Sequence, residues 1–317
     1  MSDLVEFRHL KYIAAIAETA NFTRAAERLF LAQSSLSKQI KDLEGGIAID
    51  IFRRNRDGVY ATAAGQMLAS YALEAIRMRD EIVKAARAVH RGEVPVLRIG
   101  FSCFVSPKIL QTFSDAYTSL FPECPTQFSG GDPSQILRHM QTGTLDGAIL
   151  PMPINGEEWV VEHIASAPLV VCMRVDDSLA QRMQIQVSEI PKRLRIFRSP
   201  EAHPSAHNRL VEMLTEIGIH PDVSNLAASP SDIQWMVRSK YGLALIDQGT
   251  PLDPDLTTRP LAGLNWTADT AFVHHVSAQH LALPILIRHL KKASDRKPHK
   301  QPARTKEPKA IQLELLA

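Results

Sequence analysis

Residues able to hydrogen-bond to bases or phosphates are concentrated in two short stretches near the N-terminus. Residues 33–38, QSSLSK, supply amide, hydroxyl and ammonium groups, and residues 53–56, RRNR, supply three guanidinium groups. Short hydroxyl and amide side chains suit base edges in the major groove, whereas Lys and Arg suit phosphate. Recognition of duplex DNA is therefore the chemistry that these residue types favour. The candidate DNA-binding residues are Thr23, Arg24, Gln33, Ser34, Ser35, Ser37, Lys38, Arg53, Arg54 and Arg56.

Two amphipathic helices joined by the short connection FLAQ are expected to position the first stretch. Thr23 is placed to cap the first of them, and residues 9–20 predict a third helix upstream, which completes a three-helix core. Any helical hairpin with a polar outer face gives the same pattern, so the hairpin alone does not specify DNA binding. The residues predicted to face inward are Leu10, Ile13, Ala14 and Ala17, then Phe22, Ala25, Ala26 and Leu29, then Leu36, Ile40 and Leu43.

A β-hairpin is predicted to position the arginines. The stretch IDIFRRNRDGVYATAAG has two short apolar pieces around an Asp57-Gly58 turn. Such a hairpin beside a helix-turn-helix is a wing, whose Arg side chains reach backbone phosphate or the narrow minor groove.

Residues 66–91 predict a long helix that joins this head to the rest of the chain. Apolar residues recur at alternating spacings of three and four, which is the pattern of a coiled-coil seam and predicts dimerisation. The alternative is a plain amphipathic helix packed on its own domain, because several of these residues are only Ala. The predicted seam consists of Leu68, Tyr71, Ala75, Met78, Ile82, Ala85 and Val89.

From residue 94 onward strands alternate with helices in two similar sets, which predicts two α/β lobes with open parallel sheets. Ligands of such sheets bind at the carboxyl ends of the strands, and hydroxyls, helix-start amides and one Arg would suit a small carboxylate or similar anion. The alternative is that each Ser only caps a helix and that Arg198 is a surface charge. The candidate effector-binding residues are Ser102, Cys103, Ser129, Gly130, Met152, Phe197, Arg198 and Ser199.

Several other classes of protein are disfavoured. The sequence has no apolar run of transmembrane length, no signal-peptide pattern, no hydrolase or phosphate-loop motif and no metal-ligand spacing. Cys103, Cys124 and Cys172 are far apart, so they are expected to be ordinary buried thiols, although a redox sensor built on Cys172 is an alternative. A cytoplasmic protein that is not an enzyme and needs no cofactor is expected.

The C-terminus is basic and rich in proline. Of the net charge of +2, residues 291–309 contribute eight Lys or Arg and two acidic residues, so the rest of the chain is mildly acidic. Residues 297–317 are predicted to be disordered, either as a solubilising end or as a DNA-binding arm.

The order AAERL, QSSLSKQIKDLE, IFRR and TAAG closely resembles the N-terminal domain of LysR-type transcriptional regulators over roughly the first 65 residues. The resemblance implies an α/β protein with a winged helix-turn-helix at residues 1–65 and a dimerising linker helix at 66–91. It also implies a bilobed, periplasmic-binding-protein-like effector domain at 92–296, with lobe I at about 92–167 and 270–296 and lobe II at about 168–269. A homodimer or dimer of dimers, contact with RNA polymerase and an effector of unknown identity are implied as well.

Four positions depart from the usual pattern of that family. Ile13 stands in place of an aromatic residue, Ala48 and Lys240 in place of glycines, and Asp247 in place of a proline. If Lys240 and Asp247 face the cleft between the lobes, they change its charge; if they face solvent, they matter little.

Overall fold

The computed structural model describes residues 5–55, 58–122 and 124–295, without the side chains of Arg54 and residues 292–295. Arg56 and the predicted basic tail lie outside the described residues. The chain divides into two compact units, the first from residues 5–96 with 279–285 and the second from residues 97–278 with 286–295.

The first unit is a three-helix head followed by a hairpin and a long helix. Nine of the eleven residues predicted to face inward on the three helices are buried in one cluster, and the other two, Ala17 and Leu29, are partly buried and pack against it. The inward faces are therefore confirmed. The elements are α1 (Phe7–Thr19), α2 (Phe22–Arg28), α3 (Gln33–Ile47), β1 (Phe52–Asn55), β2 (Gly58–Ala61) and α4 (Ala63–His90).

The prediction that Thr23 caps α2 is wrong. Asn21 is the N-cap, and its side-chain oxygen accepts hydrogen bonds from the backbone N–H groups of Thr23 at 2.8 Å and Arg24 at 3.1 Å. Asn21 has the extended backbone that an N-cap requires, whereas Thr23 already lies inside the helix. Since α2 ends at Arg28 and α3 begins at Gln33, the connection is LFLA at residues 29–32, shifted by one residue from the predicted FLAQ.

The predicted wing hairpin is present. β1 and β2 are antiparallel, with Phe52 opposite Ala61 and Asn55 opposite Gly58. The prediction of an Asp57-Gly58 turn is wrong by one residue, because Gly58 already belongs to β2. Asp57 lies outside the described residues.

Helix α4 begins at Ala63, capped by Thr62, whose Oγ1 accepts a hydrogen bond from the N–H of Gly65 at 3.0 Å. A side chain on Gly65 would place its Cβ 2.0 Å from the carbonyl oxygen of Ile51, so only glycine fits here. Ala69 and Ala72 are buried in the core of the head. The first half of α4 is therefore part of the head as well as a connection.

The second unit is built on one nine-stranded sheet with the strand order β4-β3-β5-β11-β6-β9-β7-β8, and β10 pairs with β6. Its first lobe contains β3 (Leu97–Ser102), α5 (Pro107–Leu120), β4 (Thr126–Gly131), α6 (Pro133–Gln141) and β5 (Gly147–Pro151). The long strand β6 (Trp159–Arg174) leads to the second lobe, with β7 (Leu194–Arg198), α7 (Pro204–Glu216), β8 (Asn225–Ala227), α8 (Pro230–Arg238), β9 (Leu243–Asp247) and β10 (Leu256–Pro260). The chain then returns through β11 (Thr267–His275), which pairs with β5 and β6, to α9 (Leu283–Asp295).

The alternation of strands and helices in two lobes is as predicted, with three differences. The sheet is mixed, because β6 runs antiparallel to β9, β10 and β11. Strand β6 begins nine residues before the predicted PLVVCM stretch, and β10 was not predicted. The predicted connecting helix before β7 consists of two single 3₁₀ turns, Ser178–Gln181 and Val187–Glu189.

Candidate DNA interface and effector cleft

The first turn of α3 presents polar side chains. Leu36, Ile40 and Leu43 hold the opposite face of the helix in the core. Ser34, Ser35 and Lys38 are exposed, and Gln33 and Ser37 are half-buried. Ala32, at the N-cap, provides no side-chain acceptor. This turn therefore offers hydroxyl, amide and ammonium groups next to the positive end of the helix dipole.

The other predicted DNA-binding residues lie on neighbouring elements of the same unit. Thr23 and Arg24 are exposed in the first turn of α2, and Arg53 is exposed on β1 opposite Tyr60, which is also exposed. Arg54 pairs with Val59 in the ladder. Guanidinium and hydroxyl groups are thus exposed on α2 and on the β1–β2 hairpin of the same unit.

Within one chain, some residues of the predicted dimerisation seam are exposed and others are buried. Tyr71, Ile82 and Val89 are 62%, 46% and 37% exposed, although all three are apolar or aromatic. Leu68 and Ala75 instead pack against the core of the head. Met78 is half-buried and Ala85 is buried. The seam as a whole stays a prediction.

Several side-chain contacts join the two lobes of the second unit, including four that involve Cys103, Ser134, His203 and Arg198. The Sγ of Cys103 lies 3.7 Å from the carbonyl oxygen of Ala228, and the hydroxyl of Ser134 donates to the carbonyl oxygen of Ala202 at 3.1 Å. His203 contacts the carbonyl oxygen of Pro151 at 2.8 Å through Nε2. In the fourth contact, Arg198 lies over the ring of Phe104, with 4.4 Å from its guanidinium carbon to the ring centroid.

Arg198 is the main candidate for binding an anionic effector. It ends β7, at the carboxyl edge of the sheet, and burial lowers the pKa of its guanidinium below the ordinary value, with Asp247 and Cys103 opposing that shift. A desolvated guanidinium is a strong partner for a carboxylate because little water competes for its donors. Asp247 is close enough to influence Arg198 electrostatically, and its own carboxylate accepts a hydrogen bond from the hydroxyl of Thr250 at 3.3 Å.

His203 is a buried residue beside Arg198. Burial lowers its pKa, the hydrogen bond to Pro151 opposes that shift, and the charge of Arg198 reinforces it. Since the Pro151 oxygen can only accept, Nε2 carries the hydrogen, which leaves Nδ1 to accept from the N–H of Ala206 at 3.4 Å. The neutral ring therefore links β5 of one lobe to α7 of the other.

The predicted effector residues do not share one cavity. Ser129 and Gly130 line a groove of about 280 Å³ with Arg98 and His139, whereas Met152 and Arg198 line a separate pocket of about 70 Å³ with His207. Ser199 is half-buried, and Cys103 is exposed, so the prediction of a buried thiol is wrong for Cys103.

Two predicted effector residues face elsewhere. The side chain of Phe197 is buried in the core of the second lobe, because β7 is covered on both faces, so its prediction as an effector contact is wrong. Ser102 is fully buried, and its hydroxyl accepts from the N–H of Phe104 at 3.2 Å. Its role is thus to shape the turn after β3.

Sequence reasoning missed Phe104 and His203, and left Asp247 open. Phe104 had no signal, because a single aromatic residue after a strand is commonplace. Asp247 was marked only by its departure from the family pattern, and it lies by Arg198 at the lobe junction. Lys240 is exposed and has a φ of 65°, the left-handed conformation that explains why glycine is usual there.

Neither a metal centre nor a membrane helix is found where the structure is described. No group of three or more His, Cys, Asp or Glu residues within these ranges is arranged to hold a metal ion. The helices of the same ranges are too short or too polar to span a bilayer.

Comparisons with known proteins agree over both units. Residues 7–66 match the family "Bacterial regulatory helix-turn-helix protein, lysR family", and residues 90–295 match "LysR substrate binding domain". The transcriptional regulator AlsR of Bacillus subtilis is 24% identical over 84% of this chain and 88% of its own length. The Hca operon transcriptional activator HcaR of Escherichia coli is 33% identical over 59% of this chain and 62% of its own. The crystal structure of full-length CbnR complexed with its target DNA has the same fold, with a TM-score of 0.55 at 18% identity over 92% of this chain and 100% of that one.

Proposed function

Because the chain belongs to the LysR family of bacterial transcriptional regulators, we propose that it docks on DNA through the first turn of α3 and through the β1–β2 wing. It is a DNA-binding regulator with an effector-binding domain, and not an enzyme. The observation that carries the docking is the division of α3 between a buried apolar face and exposed polar residues in its first two turns, Ser34, Ser35 and Lys38. Ser and Gln side chains read base edges, and Lys38 and Arg53 hold phosphate.

Two substitutions test this docking. Lys38→Ala and Arg53→Ala should each weaken binding almost uniformly across sequences and lower the salt dependence by about one released ion. Lys108→Ala, at an exposed position of α5 in the second unit, is the matched control and should leave affinity unchanged. Unchanged affinity in both head variants would rule out the docking.

The operator is to be identified by incubating the purified protein with sheared genomic DNA of its source at near-physiological salt and sequencing the retained fragments. Enrichment of a few intergenic sites with two-fold symmetry is the expected result, since a dimer reads two related half-sites. The neighbouring genes would then indicate the regulated pathway. Retention of sequences at their input frequencies would contradict specific recognition.

A homodimer through α4, assembling further into a dimer of dimers, is the proposed form of the protein. The exposed apolar residues Tyr71 and Ile82 support it, because they lie at seam positions and gain burial only against a partner. Ile82→Glu should shift the mass measured by light scattering toward the monomer. Leu73→Glu is the control, because Leu73 is exposed on the other side of the same helix.

The lobe junction around Arg198 is the proposed effector site, and a small carboxylate is the proposed effector class. Binding there acts only if the effector has different affinities for two arrangements of the protein. A thermal-shift screen of small carboxylates should raise the unfolding temperature of the wild type but not of Arg198→Gln. Arg195→Gln, which changes an exposed guanidinium on the same strand, is the control that should keep the response. An equal response in Arg198→Gln would refute the site.

The remaining partner is RNA polymerase, since transcription is the process that the protein regulates. The proposed compartment is the cytoplasm, where bacterial DNA lies. Addition of the regulator should change the amount of polymerase bound at the promoter, which would support the contact. An unaltered transcription rate in a purified system would contradict it.

A further inference from the structure

The turn between α2 and α3 contains a phenylalanine in an unusual conformation. Phe30 has a φ of 55°, in the left-handed region, and is 95% exposed. The N–H of Leu31 donates to the carbonyl oxygen of Ala26 at 2.9 Å, and the N–H of Phe30 to that of Glu27 at 3.1 Å. This is the hydrogen-bond pattern in which a left-handed residue, usually glycine, ends a helix. The end of α2 therefore fixes the backbone of Phe30.

Folding gives no reason for a phenylalanine at this position. A left-handed backbone is unfavourable for any residue with a Cβ, and an aromatic ring left in water gains nothing from the hydrophobic effect. The other non-glycine residues with positive φ among those described are Ala20, Ala48 and Lys240, none of which exposes a large apolar group. Strain combined with an exposed side chain points to a contact made outside the fold.

The position of Phe30 indicates what it contacts. It lies three residues before Gln33, at the edge of the turn that enters the major groove in the proposed docking. The C5 methyl group of thymine is the apolar group that base pairs display in the major groove, and Phe is one of the side chains that contact it. We propose that Phe30 reads the methyl group of a thymine beside the bases recognised by α3. The inference rests on the proposed docking of α3.

The first test compares the sequences that two variants select. Wild type and Phe30→Asn are each incubated with a library of random-sequence duplexes, and the retained DNA is sequenced. Asn tolerates the left-handed conformation, so Phe30→Asn should unfold at a higher temperature than the wild type. Its selected motif should lose a T·A preference at one position in each half-site while keeping the remaining positions.

The second test removes only the methyl group from the DNA. In a duplex recovered with the wild type, the thymine at that position is replaced by uracil. The wild type should lose about four-fold in affinity per half-site, as expected for one buried methyl group, and Phe30→Asn should bind both duplexes equally. Ala48→Asn is the control, because it changes another left-handed residue at the far end of α3, about 22 Å away along the helix axis. It should keep the thymine preference and the sensitivity to uracil.

Two results would overturn the inference: an identical motif for Phe30→Asn, or a uniform loss of affinity with the same uracil sensitivity as the wild type. Failure of the docking itself gives a different result. In that case Lys38→Ala would retain full affinity, whatever Phe30→Asn does.

Discussion

The guanidinium carbon of Arg198 lies 4.4 Å from the centroid of the Phe104 ring, although the two residues follow strands of different lobes. Phe104 also packs against the core cluster of the second lobe that contains Val170 and Ile246. One side chain from the first lobe thus packs on the second lobe and lies against its half-buried guanidinium. This contact therefore links the two lobes directly.

Removing the ring should loosen that contact. Phe104→Leu keeps most of the apolar volume but loses the cation–π interaction, so the free energy of unfolding of the second unit should fall by about 1 kcal/mol. Chemical denaturation followed by circular dichroism measures the change. Phe104→Tyr keeps the ring and serves as the control. Equal losses in the two variants would show that the interaction of the ring with Arg198 contributes nothing.

Two opposite substitutions near the end of α3 should both stabilise the head. Ala48 has a φ of 55°, so Ala48→Gly relieves a left-handed residue by about 1 kcal/mol. Gly45 lies inside the helix, and a Cβ there would meet nothing within 4 Å, so Gly45→Ala should also gain about 1 kcal/mol. Thermal unfolding of the two variants and of the wild type measures both effects. A lower midpoint for Ala48→Gly would contradict the conformational argument.

The second unit should lose stability in mild acid because of His203. Burial holds the pKa of His203 below its ordinary value of 6.5, so the unfolded chain takes up the proton first as the pH falls. The contribution of neutral His203 to the free energy of unfolding is fully present above about pH 6.5. It decreases as the pH falls further and stops decreasing once the folded form also binds the proton. Denaturant unfolding of the wild type and of His203→Gln at several pH values measures how much of the pH dependence of the unfolding free energy comes from His203. Identical pH dependence in the two proteins would contradict it.

Cys172 should be inert in the folded protein. Burial on β6 raises the pKa of its thiol to about 12, so almost none of it is thiolate near neutral pH. Iodoacetamide should label exposed Cys103 and leave Cys172 unmodified until denaturant is added, as read by mass spectrometry. Peroxide should correspondingly leave the DNA affinity unchanged. Rapid labelling of Cys172 in the folded protein would contradict this prediction and support the alternative of a redox sensor.

Sequence periodicity was sufficient for the head because each helix buries a single face against one core. Leu36, Ile40 and Leu43 could be assigned from spacing alone, and so could the strands bounded by turns. In β7, by contrast, Ile196 and Phe197 are both buried on opposite faces, so the direction of Phe197 could not be read from alternation.

Long-range contacts explain the remaining differences. The pairing of Phe104 with Arg198 joins residues 94 positions apart, and no local pattern encodes such a distance. Strand β10 was missed because its LTTRP sequence is mostly polar and only half-buried, and it forms by pairing with β6. The cap at Asn21 could have been found, since Asn ranks with the best N-cap residues.

Strand β6 sets how the lobes can move. It pairs with β11 up to Pro168 and with β9 and β10 from Leu169 onward, so one continuous strand belongs to the sheet of both lobes. A pair of lobes on flexible loops could swing apart freely, but a shared ribbon resists bending and yields mainly to torsion. The signal that leaves the proposed effector site is therefore expected to be a change in twist between the lobes, small in angle and reversible without the loss of a ladder hydrogen bond.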